Sequence, residues 1–303
     1  MHAPSPLPVV PLTTPFQRDG TVDHAALADS CRWMEAAGIR HLLPGGSTGE
    51  FPALTVRERI AVLETVRGAF SGAVQAHVSA CDLESVQTLR SAARDLADTD
   101  LLLPPFYFNG LQPAGLIGWY QTAFDDPSRP AWLYHFPRFT GITVSVDLLA
   151  RIAEACPALA GVKDSSADLA NATAFKERCP GLQIVLGNDS DLMAVAASPI
   201  DGSVTLPNYP HTYAGFHAAL AAGDTMEATR LARLIAKLAI PPSGASRGVF
   251  QAVTAKALLS AQLPGYPARC RLPFVELASD ERAALVEEFT KVLAEEGLAL
   301  AEA

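Results

Sequence analysis

One lysine of this sequence has the position that lysine-based carbonyl chemistry requires. Lys163 ends the apolar run Leu-Ala-Gly-Val-Lys, a pattern typical of a buried strand. Burial favours a neutral amine, which attacks carbonyl carbon and forms a Schiff base. The alternative is an ordinary ion pair with the adjacent Asp164. The other four lysines fall in helical patterns, where a solvated face is expected: Lys176, Lys237, Lys256 and Lys291.

A glycine-rich turn after another apolar run has the chemistry of a small anion site. Residues 45–50 read Gly-Gly-Ser-Thr-Gly-Glu. Glycines let the backbone approach a ligand, and successive amides bind anions. The turn, which contains Ser47, Thr48 and Gly49, therefore suits a small carboxylate. The turn lacks the spacing of nucleotide-binding loops. It also fits the GxSxG pattern with Ser47 as a hydrolase nucleophile, and a plain tight turn is the third alternative.

Two tyrosines stand at the ends of further apolar runs. Tyr134 begins Tyr-His-Phe-Pro, and Tyr107 ends Pro-Pro-Phe-Tyr. A phenol held near an amine relays protons, although a tyrosine taken alone is usually a packed aromatic. The joint occurrence of a lysine, two phenols, two hydroxyls and a glycine turn indicates one active site.

These residues share a face only if the fold is a barrel of parallel strands. Short apolar runs alternate with helical patterns eight times, which predicts an α/β fold, a TIM (β/α)8 barrel, whose strand ends meet at one mouth. The predicted strands are Pro8–Leu12, Ile39–Leu43, Ala73–Val78, Asp100–Leu103, Ala131–Tyr134, Leu159–Lys163, Gln183–Leu186 and Gly202–Leu206.

Helix starts are marked by residues that cap free backbone amides. Thr55 and Glu58 form a capping box, whose helix is predicted to run to about Arg67. Asp23, Asp82 and Asp189 are predicted to cap further helices. After the eighth strand the pattern is helical, so we predict a barrel over residues 1–222 and a helical domain over residues 223–303.

Composition narrows the class of protein. The 303 residues are 49% hydrophobic and carry a net charge of −9, without a basic cluster, which argues against nucleic acid as a partner. No signal peptide or bilayer-spanning run is seen, which predicts a soluble protein without membrane partners. Five scattered cysteines without a CxxC motif predict neither disulfides nor a zinc site, and fit a reducing cytoplasm.

The ordered motifs resemble the dihydrodipicolinate synthase and N-acetylneuraminate lyase family of pyruvate-dependent class I aldolases. The resemblance spans nearly the whole chain. Its motifs are Leu12-Thr-Thr-Pro15, Asp19-Gly20, Gly46-Ser-Thr-Gly-Glu50, Pro105-Phe-Tyr107, Tyr134-His-Phe-Pro137, Thr140-Gly141, Gly161-Val-Lys-Asp-Ser165, Gly187 and Asn208.

The resemblance implies a role for each candidate residue. Lys163 would form the imine with pyruvate or another 2-oxo acid, and Tyr134 would relay protons. Ser47 and Thr48 would hold the carboxylate, with Thr48 linking Tyr134 to Tyr107, which would reach the site of a neighbouring subunit. It further implies a homotetramer, with a homodimer as the alternative, and no metal or organic cofactor.

Departures from the family pattern concern the aldehyde. Dihydrodipicolinate synthases usually carry Tyr-Asn-x-Pro-x-Arg, whose arginine binds the carboxylate of aspartate semialdehyde. Here His135 replaces the asparagine, and Phe139 replaces the arginine, with Arg138 one residue early. Adjacent loop residues generally point differently, so Arg138 would reproduce the clamp only after a loop shift.

These departures favour a hydroxylated aldehyde. Sialic acid lyases typically have an acidic residue at the position of Ser190, which makes that substrate a poorer choice. Hydroxyl groups of an aldehyde would find partners in Thr205, Ser190, Asp189 or His135. We therefore predict a 2-keto-3-deoxy sugar acid aldolase or a related dehydratase, with dihydrodipicolinate synthase as the alternative.

Two hypotheses from other classes remain open at this point. One is a serine hydrolase with Ser47, Asp189 and His211 in the chain order of that fold. The other is a non-catalytic sensor that keeps the barrel and the carboxylate turn.

Overall fold

Eight parallel strands form the centre of the molecule. The computed structural model describes residues 8–108, 110–187, 189–239 and 250–300. Each strand pairs with the next one along the chain, and a bridge between Val9 and Val204 joins the first strand to the end of the last. This confirms the predicted TIM barrel. The strands are β1 Val9–Pro11, β2 His41–Leu43, β3 Ala73–His77, β4 Thr99–Leu102, β5 Ala131–His135, β6 Leu159–Asp164, β7 Gln183–Leu186 and β8 Gly202–Ser203.

Helices follow the strands and then continue beyond the barrel. They are α1 His24–Ala36, α2 Val56–Ala69, α3 Leu83–Ala93, α4 Pro113–Ala123, α5 Pro137–Thr140, α6 Val146–Ala155, α7 Leu169–Arg178, α8 Leu192–Ala197, α9 Pro210–Ala221, α10 Thr225–Ala239, α11 Gln251–Gln262 and α12 Ser279–Glu295. The boundary predicted at residue 222 falls between α9 and α10 and stays a prediction. Within the described ranges, none of these helices has the length and apolar character needed to cross a membrane.

Strand alternation divides the buried side chains into two layers. Leu101, Trp132 and Val185 belong to the cluster inside the barrel, whereas Leu102 and Leu133 belong to the layer between strands and helices. Successive side chains of a strand point to opposite faces. Strand side chains that react with a substrate at the barrel mouth must therefore be those that point into the barrel.

The predicted helix caps are confirmed with one exception. Thr55 and Glu58 form the reciprocal capping box of α2, and the side chains of Asp23 and Asp82 accept from backbone amides of α1 and α3. The prediction for Asp189 is wrong. Asp191 caps α8 by accepting from the Ala194 amide, 3.1 Å away. The Asp189 carboxylate instead accepts a hydrogen bond from the Tyr209 hydroxyl, so it does not cap α8.

Lys256 contradicts the expectation of a solvated helix face. It lies on α11 with no exposed surface and forms an ion pair with Glu50, which is also fully buried. Its Nζ also donates to the Arg269 carbonyl at 2.8 Å and lies over the Phe16 ring. A buried charge is costly unless it is paired and hydrogen-bonded. The pair therefore fixes α11 against the glycine turn of the barrel.

His217 on α9 makes the stability of the fold depend on pH. Its Nε2 is buried without a hydrogen-bond partner among the described residues, and the ring lies against Tyr213 and Phe216. Burial lowers the pKa of His217 to about 4. The unfolded chain binds this proton below its ordinary pKa near 6.5, whereas the folded chain does not until about pH 4. The free energy of unfolding therefore keeps its full value with respect to His217 above pH 6.5, and it decreases as the pH falls towards 4.

We expect His217→Phe to reduce the acid sensitivity of the protein. Between pH 7 and 4, the free energy of unfolding of the wild type should fall by about 3 kcal/mol more than that of the variant. Urea denaturation at several pH values measures both slopes. His24→Phe changes an exposed histidine and serves as the control. Identical slopes for wild type and His217→Phe would refute this assignment.

Candidate active site

A cavity of about 390 Å³ lies at the carboxyl ends of the strands. This is the end of a parallel barrel at which reacting groups are placed, because its loops vary without disturbing the core. The cavity brings together most of the residues that the sequence singled out. Those that line it are Thr48, Tyr134, Arg138, Lys163, Asp189, Ser190 and Thr205.

Lys163 and Tyr134 are neighbours on adjacent strands. They are directly paired in the register of β5 and β6, and Lys163 Nζ lies 4.1 Å from the centroid of the Tyr134 ring. Lys163 is 6% exposed and Tyr134 is 2% exposed. The Phe136 ring stacks on Tyr134 at 5.5 Å, and the His77 ring meets it edge-on at 5.9 Å. A nearly buried amine and phenol therefore share one wall of the cavity.

Asp164 is not the partner of Lys163, so the ion-pair alternative is wrong. Adjacent strand residues point to opposite faces, and the Asp164 carboxylate accepts from His135 Nδ1, the Ser166 amide and Asn171 Nδ2 at 2.8 to 2.9 Å. Burial acts to raise the pKa of Asp164, but these hydrogen bonds outweigh it and hold the pKa below its ordinary value.

The same alternation removes His135 from the aldehyde site. Its ring lies against Phe175 of α7, with the ring centroids 5.5 Å apart, and Nδ1 contacts Asp164. His135 therefore faces the helix layer rather than the cavity, and the prediction that it contacts the substrate is wrong. Dihydrodipicolinate synthases usually have an asparagine at this position. Because His135 faces the helix layer, the difference does not indicate which aldehyde binds.

The glycine turn owes its shape to the absence of side chains at two positions. Gly45 has a φ of +62°, and a Cβ at Gly49 would lie 3.1 Å from the backbone of Gly45 and Leu12. The Gly49 amide donates to the Gly46 carbonyl, so Gly49 shapes the turn and has no amide left for a ligand. Ser47 and Thr48 are buried in the turn, and Thr48 reaches the cavity.

Asp189 and Thr205 bring buried polar atoms to the cavity from the segments that follow β7 and β8. Asp189 Oδ2 accepts from the Tyr209 hydroxyl at 2.7 Å and from the Leu206 amide at 3.3 Å. Asp189 Oδ1 and Thr205 Oγ1 are buried and make no hydrogen bond of good geometry among the described residues, although the Thr205 hydroxyl is near enough to Asp189 to lower its pKa. Burial raises the pKa of Asp189 above its usual range despite the Tyr209 hydrogen bond. Unpaired buried polar atoms are costly, which favours a hydroxylated ligand here.

Arg138 and Phe139 are placed the opposite way from the sequence expectation. Both belong to the single turn α5, and it is Arg138 that lines the cavity. Phe139 is 45% exposed and contacts Phe136 and Phe250. No loop shift is needed to bring Arg138 to the mouth, and its guanidinium lies 5.9 Å from the centroid of the Phe139 ring. Because Arg138 is exposed, however, a carboxylate bound there gains little from the charge.

Tyr107 lies outside the cavity of its own chain. Its side chain is 84% exposed, and the neighbouring Phe108 ring, 49% exposed, meets it edge-on. Large exposed aromatic side chains are common where another protein surface binds. The role in a neighbouring subunit therefore stays a prediction.

Two residues of the site region were missed by sequence reasoning. His77 ends β3, so inspection of every strand end would have found it. Its ring contacts Phe51 and Tyr134, and burial, reinforced by the charges of Arg59 and Lys163, holds its pKa well below the ordinary value. Gln251 lines the cavity from α11. No sequence signal connects a helix so late in the chain with the barrel mouth.

The arrangement does not fit a Ser47 hydrolase. Asp189 is bonded to Tyr209 and Leu206, and the His211 ring lies 6.0 Å from the ring of Trp33 on α1. Neither contact orients a base towards Ser47. In the part of the chain that the structure describes, no group of three or more His, Cys, Asp or Glu side chains is placed to hold a metal ion.

Fold and cavity together define a parallel (β/α)8 barrel with an amine, a phenol and a glycine turn at its mouth. The chain belongs to the dihydrodipicolinate synthetase family, whose sequence model matches residues 8–292. The resemblance inferred from the motifs is thereby confirmed.

Proteins similar to this chain include enzymes that are named for different substrates. A 2-dehydro-3-deoxy-phosphogluconate/2-dehydro-3-deoxy-6-phosphogalactonate aldolase of Sulfurisphaera tokodaii is 29% identical over 94% of this chain and 96% of its own. A 4-hydroxy-tetrahydrodipicolinate synthase of Roseobacter denitrificans is 32% identical over 91% and 94%. The crystal structure of KD(P)GA from T. tenax superimposes with a TM-score of 0.84 at 27% identity, covering 95% of this chain and 99% of that one.

Proposed function

We propose that this protein is a class I aldolase that forms an imine between Lys163 and a 2-oxo acid, and that its substrate is a 2-keto-3-deoxy sugar acid. The observation that carries the proposal is the position of Lys163 Nζ, 4.1 Å from the Tyr134 ring centroid within the cavity. Family membership and the aldolase relatives support it. A related dehydratase would use the same imine.

The chemistry follows from the groups at the cavity. Lys163 Nζ adds to C2 of the 2-oxo acid, and the carbinolamine loses water to give a protonated imine. Tyr134 then takes the proton of the C4 hydroxyl, the C3–C4 bond breaks, and its electron pair moves into the enamine as the aldehyde leaves. Protonation at C3 and hydrolysis release pyruvate and the free lysine. In the synthetic direction the enamine attacks the aldehyde.

The glycine turn is the proposed binding site for the carboxylate of the 2-oxo acid. The amides and hydroxyls of Ser47 and Thr48 are its contacts, since Thr48 reaches the cavity beside Tyr134. Gly49 contributes the close backbone packing that shapes the turn. Amides gathered in a turn bind a carboxylate without needing a positive side chain.

The hydroxyl groups of the sugar acid are the proposed ligands of Asp189, Ser190 and Thr205. Asp189 Oδ1 and Thr205 Oγ1 are buried polar atoms of residues that line the cavity, and a polyhydroxylated chain supplies hydrogen-bond partners of good geometry for them. The Phe139 ring packs on Phe136 and Phe250, and Phe139 is not one of the residues that line the cavity, so we assign it no contact with the sugar acid.

Dihydrodipicolinate synthase is the second candidate, and the observation that favours it is Arg138. Its side chain lines the cavity, where a carboxylate of aspartate semialdehyde would meet it. The 4-hydroxy-tetrahydrodipicolinate synthase relatives support this candidate as well.

We also propose an oligomeric state and a cellular location for the protein. The exposed Tyr107 and Phe108 support a homotetramer or homodimer in which Tyr107 reaches the neighbouring site. All five cysteines are free, as expected of a cytoplasmic protein.

Condensation of pyruvate with two aldehydes separates the two candidates. We expect kcat/KM to be at least about tenfold higher with glyceraldehyde than with aspartate semialdehyde, because an exposed guanidinium contributes little to carboxylate binding. Arg138→Ala should leave the glyceraldehyde reaction within about twofold. A preference for aspartate semialdehyde that collapses in Arg138→Ala would instead establish dihydrodipicolinate synthase. Turnover of neither aldehyde, despite imine formation, would favour the sensor hypothesis.

A further inference from the structure

Helix α11 reaches from outside the barrel to one hydroxyl of the active site. Gln251, its first residue, lines the same cavity as Lys163 and Tyr134. The side-chain amide of Gln251 donates from Nε2 to Thr48 Oγ1 at 3.0 Å. The two residues are 203 positions apart in the chain, so the contact exists only in the folded molecule.

This hydrogen bond determines on which side the Thr48 hydroxyl accepts and on which side it donates. An amide NH₂ group only donates, whereas a hydroxyl donates one proton and accepts on its lone pairs. Thr48 Oγ1 is therefore the acceptor towards α11, and its single proton is left for another acceptor. That proton is then available on the cavity side, which Thr48 and Tyr134 both line.

A buried ion pair holds α11 at the distance this contact needs. Glu50, two residues after Thr48, pairs with Lys256 of α11, and both side chains are fully buried. Glu50 Oε2 also accepts from the Arg271 amide at 3.1 Å. The helix is thus fixed to the glycine turn independently of Gln251. Removing the Gln251 amide should leave the turn and helix in place.

We propose that Gln251 is a positioning residue for the aldolase reaction, one that fixes the Thr48 hydroxyl as a proton donor towards the cavity. This inference rests on the proposed function, since the relay through Thr48 and Tyr134 belongs to it. With Thr48 donating, the Tyr134 oxygen accepts from it. This stabilises the Tyr134 oxygen as it takes the proton of the C4 hydroxyl, and in the synthetic direction it leaves the phenol proton directed to the aldehyde oxygen. The direction of the relay is then set by a helix outside the barrel.

Gln251→Glu tests the direction of the hydrogen bond at nearly constant size. A carboxylate only accepts, so Thr48 must turn its proton towards Glu and away from the cavity. We expect kcat to fall about tenfold at neutral pH, the scale of one hydrogen bond, with KM for the 2-oxo acid within about twofold. As the pH falls towards the ordinary carboxyl pKa, near 4, the protonated acid donates again. The ratio of variant to wild-type kcat should therefore rise.

Gln251→Leu provides the comparison, because it removes the donor without adding a titrating group. It should lose activity without recovery at low pH. Lys163, Arg138 and Asp189 also line the cavity and are unchanged in both variants, so their contributions cancel in the comparison. Gln121→Glu adds the same charge on the exposed face of α4 and should behave as wild type.

The outcomes separate this inference from the proposed function. A wild-type protein that cannot be trapped with pyruvate and borohydride overturns the proposed function. Trapping in the wild type, together with wild-type kcat in Gln251→Glu, overturns only the role of Gln251. Equal losses in Gln251→Glu and Gln251→Leu at every pH would show a merely structural contact and would also overturn it. Thermal melting of each variant confirms that it is folded.

Discussion

Lys163→Ala should abolish covalent trapping of pyruvate and lower kcat/KM by about 10⁴-fold or more, the scale seen when a nucleophile is removed. Borohydride reduces an imine to a stable secondary amine, so the wild-type protein should gain one reduced pyruvyl group. Peptide mapping should place the added mass on Lys163. Its amine lies in the cavity beside Tyr134, where a 2-oxo acid can reach it.

The other buried lysine shows why burial alone does not make a nucleophile. Lys256 is more deeply buried than Lys163, but its ammonium is paired with Glu50 and bonded to the Arg269 carbonyl. Burial lowers the pKa of Lys256, but the Glu50 carboxylate beside it favours the charged amine, which cannot attack carbonyl carbon. We therefore expect no mass on Lys256. Access from the cavity, rather than burial, distinguishes the reactive lysine.

A matched variant controls for loss of a positive charge. Lys291→Ala removes an exposed lysine of α12 and should be trapped like the wild type. Circular dichroism of Lys163→Ala should be unchanged, because the side chain borders a cavity. Equal labelling of Lys163→Ala and wild type would place the imine elsewhere and refute the mechanism.

The barrel could be predicted from the sequence because the patterns that indicate its strands and helices are local. Strand runs, helix periods and the Thr55 capping box each depend on residues within one or two turns. Neighbouring strands of the barrel are also neighbours in sequence, so the order β1 to β8 follows from successive pairs, and the bridge between Val9 and Val204 then closes the barrel. Alternation along β5 and β6 likewise places Tyr134 and Lys163 on the inward face.

The errors arose where distant partners decide the outcome. Lys256 has a helical pattern around it, and only Glu50, 206 positions earlier, explains its burial. Asp189 and Asp191 are equally good caps by type, but Tyr209 holds the Asp189 carboxylate elsewhere. Arg138 reaches the cavity because α5 is a single helical turn, whose direction a motif alignment does not fix. Such contacts become visible only when the chain is folded.

Tyr134→Phe should leave the fold intact and lower kcat by about 10²-fold or more, the usual scale of general acid–base catalysis. The ring of Tyr134 is held by Phe136 and His77, and phenylalanine keeps both contacts. The change therefore removes the hydroxyl alone. Stopped-flow trapping with borohydride and steady-state turnover together should show which step has slowed.

The proper control for this change is a second buried tyrosine. Tyr120 on α4 is fully buried, and its hydroxyl has no hydrogen-bond partner among the described residues. Tyr120→Phe makes the same chemical change away from the cavity and should leave kcat unchanged. If Tyr134→Phe turned over as fast as Tyr120→Phe, the phenol would not be the relay. The protons of imine formation and bond cleavage would then have to travel through the Thr48 hydroxyl or through water.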